Sequence, residues 1–411
     1  MKHVLLLSVL LLAQDDDLPI AADAPAAYKK AMELGKDALG RKKYGDAALN
    51  FGEALRLKPG DKIAEKGFGR AIKEMEIYNT RFGDLKKETL KTYGMEKAVE
   101  PIEKGLKWLV SKQQADGRWK CKPMAGATDD MASTAFALLA LLADGNSEAT
   151  GPYREAVAKG VAFLIKQQKE DGSFGGARLY TEGLCTLALV EAFVMGGTET
   201  DYQAAQKGIA LVVKSQRPEG GWLYSGNDHG AGDTSVTGMM FQPLKQGQMA
   251  YLDFDEKCLT RGRDFVDSVT HEGYVGYRGA GDTHRLSLTA IGNLVRVYSG
   301  LATDDEKVKG SLKLIIDGRE GMKTNLYFLY YGVMLTFLAG GEPWTAWRDT
   351  MLPHLLEKQV KEGADEGAWK PEGSGPDAGY ADYLSDTDST SMALLSLECC
   401  YRYVPARMKK K

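Results

Sequence analysis

The chain has 411 residues, 44% of them hydrophobic and 27% charged, enough to bury a large core and to hold more than one domain. Its 53 Lys and Arg residues face 56 Asp and Glu, a net charge of -3 mixed along the chain without a basic tract, which excludes nucleic acid as a partner. The five cysteines, Cys121, Cys185, Cys258, Cys399 and Cys400, are odd in number and lack Cys-x-x-Cys spacing, so they read as small apolar residues of helix cores and encode neither a disulfide framework nor a zinc finger.

At the start of the chain, Met1, Lys2 and His3 precede an apolar run from Val4 to Ala13, and Gln14-Asp15-Asp16-Asp17 follows at once. That order of charge, apolar run and polar stretch is the pattern of a secretory signal peptide, assigned to residues 1–19, and it predicts an exported protein, periplasmic or secreted. The run is too short to span a bilayer, and no apolar stretch of about eighteen residues occurs elsewhere, so no transmembrane segment is expected.

Residues 24–95 read as a helical region. Gly35, Tyr44, Ala47, Phe51, Ala54 and Pro59 fall at the spacing of a helical hairpin in which small residues let two helices approach and a proline ends the second. The spacing resembles the tetratricopeptide unit of about 34 residues, with a degenerate second copy from Ile63 to Met75. Stacked repeats of this kind need about three copies, so the unit is expected to dock on a larger body or to extend its helical layer.

From residue 96 to 405 the sequence repeats at about fifty residues. Each copy opens with a basic residue and glycine on an amphipathic helix, passes a glutamine and a Gly-aromatic turn, and continues into a helix apolar nearly all round. The first copy has Lys104-Gly105, Leu106, Trp108-Leu109-Val110, Gln113 and Gly117-Arg118-Trp119. The second has Lys159-Gly160, Gln168 and Gly172-Ser173-Phe174, and the third Lys207-Gly208, Gln216 and Gly220-Gly221-Trp222. The fourth, Arg261-Gly262 with Phe265, Gly276 and Tyr277, is looser; the fifth keeps only Lys309-Gly310 and Leu314-Ile315-Ile316; the sixth has Gln359 and Gly367-Ala368-Trp369.

These copies resemble the Gln-Trp repeat of the squalene cyclase and prenyltransferase superfamily, over about three quarters of the chain. In physical terms the glutamine amide can bond backbone groups at helix ends while the aromatic ring stacks on it, bracing one outer helix against the next turn. The second helix of each copy is expected over 130–142, 181–193, 233–246, 283–298, 324–338 and 385–401. Met131 to Leu142 carries no charge, the mark of a helix with protein on every side. Helix alternation alone also allows an open solenoid; six copies and the resemblance together imply an all-α fold, a closed (α/α)6 toroid preceded by the tetratricopeptide-like region.

In such a ring the inner helices start at one face, and residues at those starts are expected to converge on a central funnel. They are acidic: Asp129 and Asp130, Glu182, Asp233 with His229 one turn earlier, Asp282 with His284, and Asp386 with Asp388. An aspartate ahead of a Ser/Thr-rich helix start also serves as an N-cap, so every one of these has a structural reading beside the functional one. Asp386-Thr387-Asp388-Ser389-Thr390 resembles the Asp-x-Asp-Asp-Thr of cyclases that protonate an alkene, which would make Asp388 the catalytic acid and Asp386 its neighbour; Ser389 departs from that pattern. The zinc set of the prenyltransferases, Asp, Cys and His, is not matched, because no Asp-x-Cys occurs and Ser389 stands where the histidine falls, so zinc of that type is not expected. His229, Asp233 and His284 are chemically suitable for another metal. The Cys-Gly-Glu-Gln of complement-like thioester domains is absent.

Asp130, Glu182, Asp233 and Asp282, with Tyr327, Tyr330 and Tyr331, are the ligand-binding candidates, and Tyr180, Phe241 and Tyr383 add to an aromatic lining that core packing also explains. Tyr180-Thr181-Glu182-Gly183-Leu184, Gly232-Asp233-Thr234-Ser235-Val236-Thr237-Gly238 and Asn325-Leu326-Tyr327 are similar to exported bacterial toroid proteins. The reading that follows is a toroid binding an apolar or extended small molecule, or a protein, in its funnel. Two alternatives stand beside it: an isoprenoid cyclase-like enzyme using Asp388, and a carbohydrate-active toroid using two facing carboxyls. Of the two, cyclase-like chemistry is favoured over hydrolysis.

Overall fold

The computed structural model describes residues 25–41, 44–58, 60–74, 80–122, 129–175, 178–196, 198–225, 229–250, 252–371 and 384–403. The signal-peptide segment, Pro59, Met75, Tyr383 and the side chain of Tyr44 lie outside them. The chain divides into two compact units at Met75/Glu76.

The first unit contains α1 (Ala26–Gly40), α2 (Tyr44–Leu57) and α3 (Lys62–Glu74), with α2 packed against both others. Phe51 of α2 is why they approach: a methyl group on Gly35 or Gly67 would meet its ring at 2.9 and 2.5 Å. These helices occupy the place expected of the tetratricopeptide-like region. Asp61 caps α3 by accepting the amides of Ile63 and Ala64 at 3.0 Å.

The second unit begins earlier than the repeat does. Its α4 (Gly83–Thr92), placed with the N-terminal region by sequence, packs instead against the helical turn Cys399–Arg402, and Lys86 pairs with Asp144. Six outer helices follow: α5 (Val99–Ser111), α7 (Arg154–Gln167), α9 (Glu199–Lys214), α11 (Lys257–Ser268), α13 (Glu306–Asp317) and α15 (Gly341–Lys358). Six inner helices alternate with them: α6 (Asp130–Ala143), α8 (Leu179–Val194), α10 (Thr234–Met249), α12 (Leu286–Tyr298), α14 (Leu326–Ala339) and α16 (Asp386–Leu397). Each inner helix packs on the next, and α16 packs on α6. The ring therefore closes.

Closure follows from the repeat residues. Gln113, Gln168, Gln216 and Gln359 each donate Nε2 to the glycine carbonyl of their own turn and to a carbonyl of the next outer helix: Ala156 at 2.9 Å, Ala204 at 3.0 Å, Cys258 at 2.9 Å and Pro101 at 2.8 Å. The acceptor always lies three residues before the basic residue of the next copy, in the first turn of its helix for Ala156, Cys258 and Pro101, as the repeat suggested, and one turn deeper for Ala204. The tryptophans hold the same corner from the other side, Trp119, Trp222 and Trp369 donating Nε1 to Leu109, Val212 and Leu355 at 2.7 to 2.8 Å. Their backbone amides donate to the inner-helix hydroxyls of Thr134, Thr237 and Thr390. In the fourth copy Val275, on a two-residue ladder of β1 (Thr270–His271) with β2 (Tyr274–Val275), donates to Thr289 in that role, in place of the expected Tyr277.

Gln359 is 4% exposed, and its bond to Pro101 joins the sixth copy to the first. Gln359→Leu removes both bonds and strands two buried carbonyls, so it is expected to lower stability by about 1–3 kcal/mol in chemical denaturation. An unchanged midpoint would show that the seam does not depend on this amide.

Candidate functional site

The starts of the inner helices do gather at one mouth of the ring, and the reason each acid sits there is local. Asp129 caps α6 by accepting the Ala132 amide at 3.1 Å, and its other oxygen accepts the Thr181 hydroxyl of α8. Asp130 accepts the Cys121 amide at 2.9 Å and lies 3.4 Å from Arg118 Nε. Asp233 caps α10 through Ser235 and Val236, and its second oxygen is 3.9 Å from Arg278. Asp282 accepts the amides of Tyr277, Arg278 and Gly279 at 2.6 to 2.9 Å; burial alone would raise its pKa, but these donors hold it below the ordinary value.

Asp388, the candidate acid, is 6% exposed. Its Oδ2 accepts the Ser385 amide at 2.8 Å and the Ser385 hydroxyl at 2.7 Å, closing a capping box at the start of α16, while Oδ1 accepts the Ser133 hydroxyl of α6 at 2.6 Å. Burial raises its pKa, with Asp129 adding to the rise, and the Ser133 and Ser385 donors pull the other way. Asp386 instead pairs with Lys370 at 2.6 Å, and Lys370 also holds Asp365 at 2.7 Å. The ring thus brings Asp129, Asp388, Ser133 and Thr181 together across copies six, one and two; Asp233 and Asp282 form a separate group around Tyr277 and Arg278.

Below the acids the hollow is crossed by side chains. Helices α8 and α14 stand second and fifth of six, opposite each other, yet the hydroxyls of Tyr180 and Tyr331 lie 3.0 Å apart. Tyr327 and Tyr330 pack edge-on to Tyr331 at 4.8 and 5.0 Å, and Phe136 of α6 meets Tyr330 at 6.2 Å. Further down, Glu191 of α8 pairs with Arg402 at 2.7 Å and Arg81 at 2.8 Å. The expected funnel therefore has a tyrosine floor. Tyr180 is partly exposed on it, stacked on Tyr224 at 6.5 Å, whereas Tyr327, Tyr330 and Tyr331 are buried beneath.

Beside the floor, a cleft of about 770 Å³ runs along the seam of the first and sixth copies, with Trp108, Lys112, Cys121, Lys122, Leu384 and Asp386 among its walls. Cys121, expected in a helix core with the other cysteines, instead stands half-buried on the loop after Trp119, and sequence reasoning passed over Ser133 and the seam lysines. The signal for the last was the surplus of lysine in Lys120-Cys121-Lys122 facing Asp386 once α16 closes on α6.

Glu182 stands where the other copies carry a threonine. Both its oxygens take the Phe174 amide, at 2.9 and 3.2 Å, the task of Thr134, Thr237 and Thr390 elsewhere. At 3% exposure, burial raises its pKa to about 7, the Phe174 amide opposing and Asp171 and Asp129 adding to the rise. The folded state therefore holds this proton more tightly than the unfolded state. Its contribution is fully present below about pH 4.5 and is lost as pH rises toward 7. Glu182→Gln, which keeps an acceptor for Phe174, is expected to flatten the pH dependence of the unfolding free energy across that window by about 1–3 kcal/mol. A parallel shift of the whole profile would contradict this.

The metal set fails to assemble. His229 is exposed, His284 packs on the Tyr274 ring at 4.7 Å, and Asp233 is buried at its cap. Among the described residues no three His, Cys, Asp or Glu side chains come together as metal ligands, because the two histidines lie on loops ahead of different helices. No helix among them is long and apolar enough to cross a membrane.

Residues 77–191 match the family model of the squalene-hopene cyclase C-terminal domain, beginning where the second unit begins. Comparison with curated proteins gives no match. Among solved structures, the chain is similar to a variant of the type II terpene cyclase MstE from Scytonema in complex with its product merosterolic acid A, with 16% identity and TM-score 0.52, over 77% of this chain and 99% of that one. It is also similar to the GH76A alpha-1,6-mannanase from Salegentibacter sp. HEL1_6, with 12% identity and TM-score 0.53, over 73% of this chain and 98% of that one. At these identities the likeness is one of fold.

Proposed function

We propose, starting from the squalene cyclase-like toroid that the chain forms, that this protein binds an extended, largely apolar ligand at the mouth of the ring and does not cyclise it. The observation that carries the reading is the state of Asp388. A general acid toward an alkene must present a proton to the cavity, whereas both oxygens of this carboxyl already accept hydrogen bonds from Ser385 and Ser133. Beside it, the partly exposed Tyr180 and Tyr224 rings give an apolar chain a surface to lie on. Export, read from the N-terminal segment, would place such a binder outside the cytoplasm.

Saturable binding of a long-chain polyprenol to the full chain, weakened by Tyr180→Ala, is the expected result; absence of binding overturns the reading. The raised pKa of Asp388 favours a second reading, cyclase-like acid catalysis, and one substitution separates the two. Asp388→Asn should cost about 1 kcal/mol of stability through the weakened capping box and change no turnover. Loss of a polyprene-converting activity at unchanged melting temperature would instead establish the acid. The carbohydrate-active reading needs two facing carboxyls free to act. Among the described residues Asp129, Asp130, Glu182, Asp233, Asp282 and Asp388 each accept a backbone amide and Asp386 is paired with Lys370, an arrangement of caps and ion pairs and not of two facing free carboxyls.

A further inference from the structure

At the opposite end of the ring, where the inner helices finish, the salt bridges of Glu191 leave one acid unused. Glu398 directly follows α16 and precedes the turn Cys399–Arg402. It is 0% exposed, and among the described residues neither oxygen of its carboxyl has a hydrogen-bond partner. Buried polar groups are almost always hydrogen-bonded, so a carboxyl with both oxygens bare calls for a reason.

The charges that face it are engaged elsewhere. Asp144 stands at the end of α6, Lys86 on α4, Arg81 just before α4, and Arg402 in the turn itself. Lys86 is paired with Asp144, and Arg81 and Arg402 with Glu191 of α8. The other charged residues of α4, Asp84, Lys87, Glu88 and Lys91, are exposed. Helix α14, which also packs on the turn, brings tyrosines and no charge, and the acids of α16 lie at its far end. An ionised Glu398 would thus lie near a carboxylate with no donor and no free cation. Burial, with Asp144 adding, holds its pKa well above the ordinary value against the pull of the three cations, so the folded state keeps its proton. Burial also pushes Cys399, Cys400 and Tyr401 up, so these stay protonated at neutral pH.

The turn beside Glu398 is held down by α4 and the residues before it. Helix α4 packs on the turn, Lys86 lies 4.8 Å over the Tyr401 ring, and the Thr80 hydroxyl donates to the Tyr401 carbonyl at 2.8 Å. We propose that Glu398 is a proton-dependent latch: uncharged, it lets α4 stay seated on the turn, and ionised, it parts the two and uncovers Cys399 and Cys400. The carboxyl can hold a charge only where water reaches it, so losing the proton and opening are one event. Because the closed form binds the proton more tightly, the latch is firmest below about pH 4.5 and loosens as pH rises toward the folded value. It uses no residue of the mouth and stands or falls independently of the polyprenol reading.

The test is labelling of the native full chain with 4,4′-dithiodipyridine, each cysteine being followed by peptide mass spectrometry and its rate divided by that of glutathione at the same pH. Cys185 and Cys258, buried elsewhere in the ring, report global opening. The normalised labelling of Cys399 and Cys400 is expected to rise about tenfold per pH unit between pH 5.5 and 7, while Cys185 and Cys258 stay protected. Glu398→Gln and, as a separate variant, Glu398→Met cannot ionise and should show no such rise. A flat wild-type profile, a rise that survives in either variant, or labelling of Cys185 and Cys258 in step with Cys399 and Cys400 overturns the proposal.

Discussion

Gly220→Ala is expected to destabilise the ring by on the order of 3 kcal/mol, more than any single hydrogen-bond deletion at the repeats. Gly220 adopts φ 100, a left-handed conformation that costs an L side chain energy before any contact is considered. A methyl group there would also overlap the backbone carbonyl of Arg261 on the next outer helix, an atom that cannot turn aside as a flexible side chain could. Gly117, Gly172 and Gly367 face Lys159, Lys207 and Lys104 in the same way, which explains why the Gly-aromatic turn and the basic residue of the following copy recur together. Gly310 offers the control. It lies inside α13 with open space where a methyl group would go, so Gly310→Ala should be neutral or stabilising by about 0.5–1 kcal/mol. Equal effects at the two glycines, measured by denaturant titration, would refute the close-approach account.

Glu191→Gln should cost about 3–5 kcal/mol, the largest effect expected from a single charge removal. Glu191 is fully buried and shared by Arg402 and Arg81, whose side chains are 2% and 1% exposed. Its pKa is set by burial, which would raise it, against the two guanidiniums, which together hold it below the ordinary value. Losing the carboxylate strands buried guanidinium charge, and that stranding is the main part of the cost. Replacing the three residues together by Met, Leu and Met should therefore recover much of the loss, because the interaction nets little once every charge is gone. A triple variant as unstable as Glu191→Gln would show that the ion cluster itself holds the lower end of the ring together.

The repeat was legible because its residues act through the backbone at fixed offsets. A glutamine, a left-handed glycine and an aromatic close one corner, and a basic residue with glycine begins the next, so spacing alone announced four of the six corners. The fourth was misplaced by two residues because a short hairpin carries Val275 into the corner, and the hydrogen bond to Thr289 uses a backbone amide that any residue supplies. The acids at the helix starts were legible as a group, and their dual reading as caps was too. Which partners they would find was not, since Ser133 to Asp388 and Thr181 to Asp129 are bonds between copies far apart in the chain.

The tyrosine floor was hidden for a related reason. Tyr180 and Tyr331 sit in unlike sequences, and only the opposition of the second and fifth inner helices brings their hydroxyls to 3.0 Å. Glu191 did leave a signal: a lone acid deep in Leu184–Val194, a segment otherwise without charge, demands a buried cation, and Arg402 lies just past the last inner helix. That demand also accounts for α4 belonging to the ring, because the segment just before it delivers Arg81 to the same carboxylate.

The central claim is that the ring holds an apolar chain without converting it, since Asp388, the acid position of the cyclase pattern, is tied into a cap. Incubating the purified full chain with a long polyprenol, separating protein from free ligand, and identifying the extracted molecule by mass spectrometry with chromatographic comparison to the input tests this directly. The account predicts recovery of the same linear polyprenol in stoichiometric amount from the wild type and from Asp388→Asn alike. A cyclised isomer of identical mass and altered retention, formed by the wild type and not by Asp388→Asn, would contradict it.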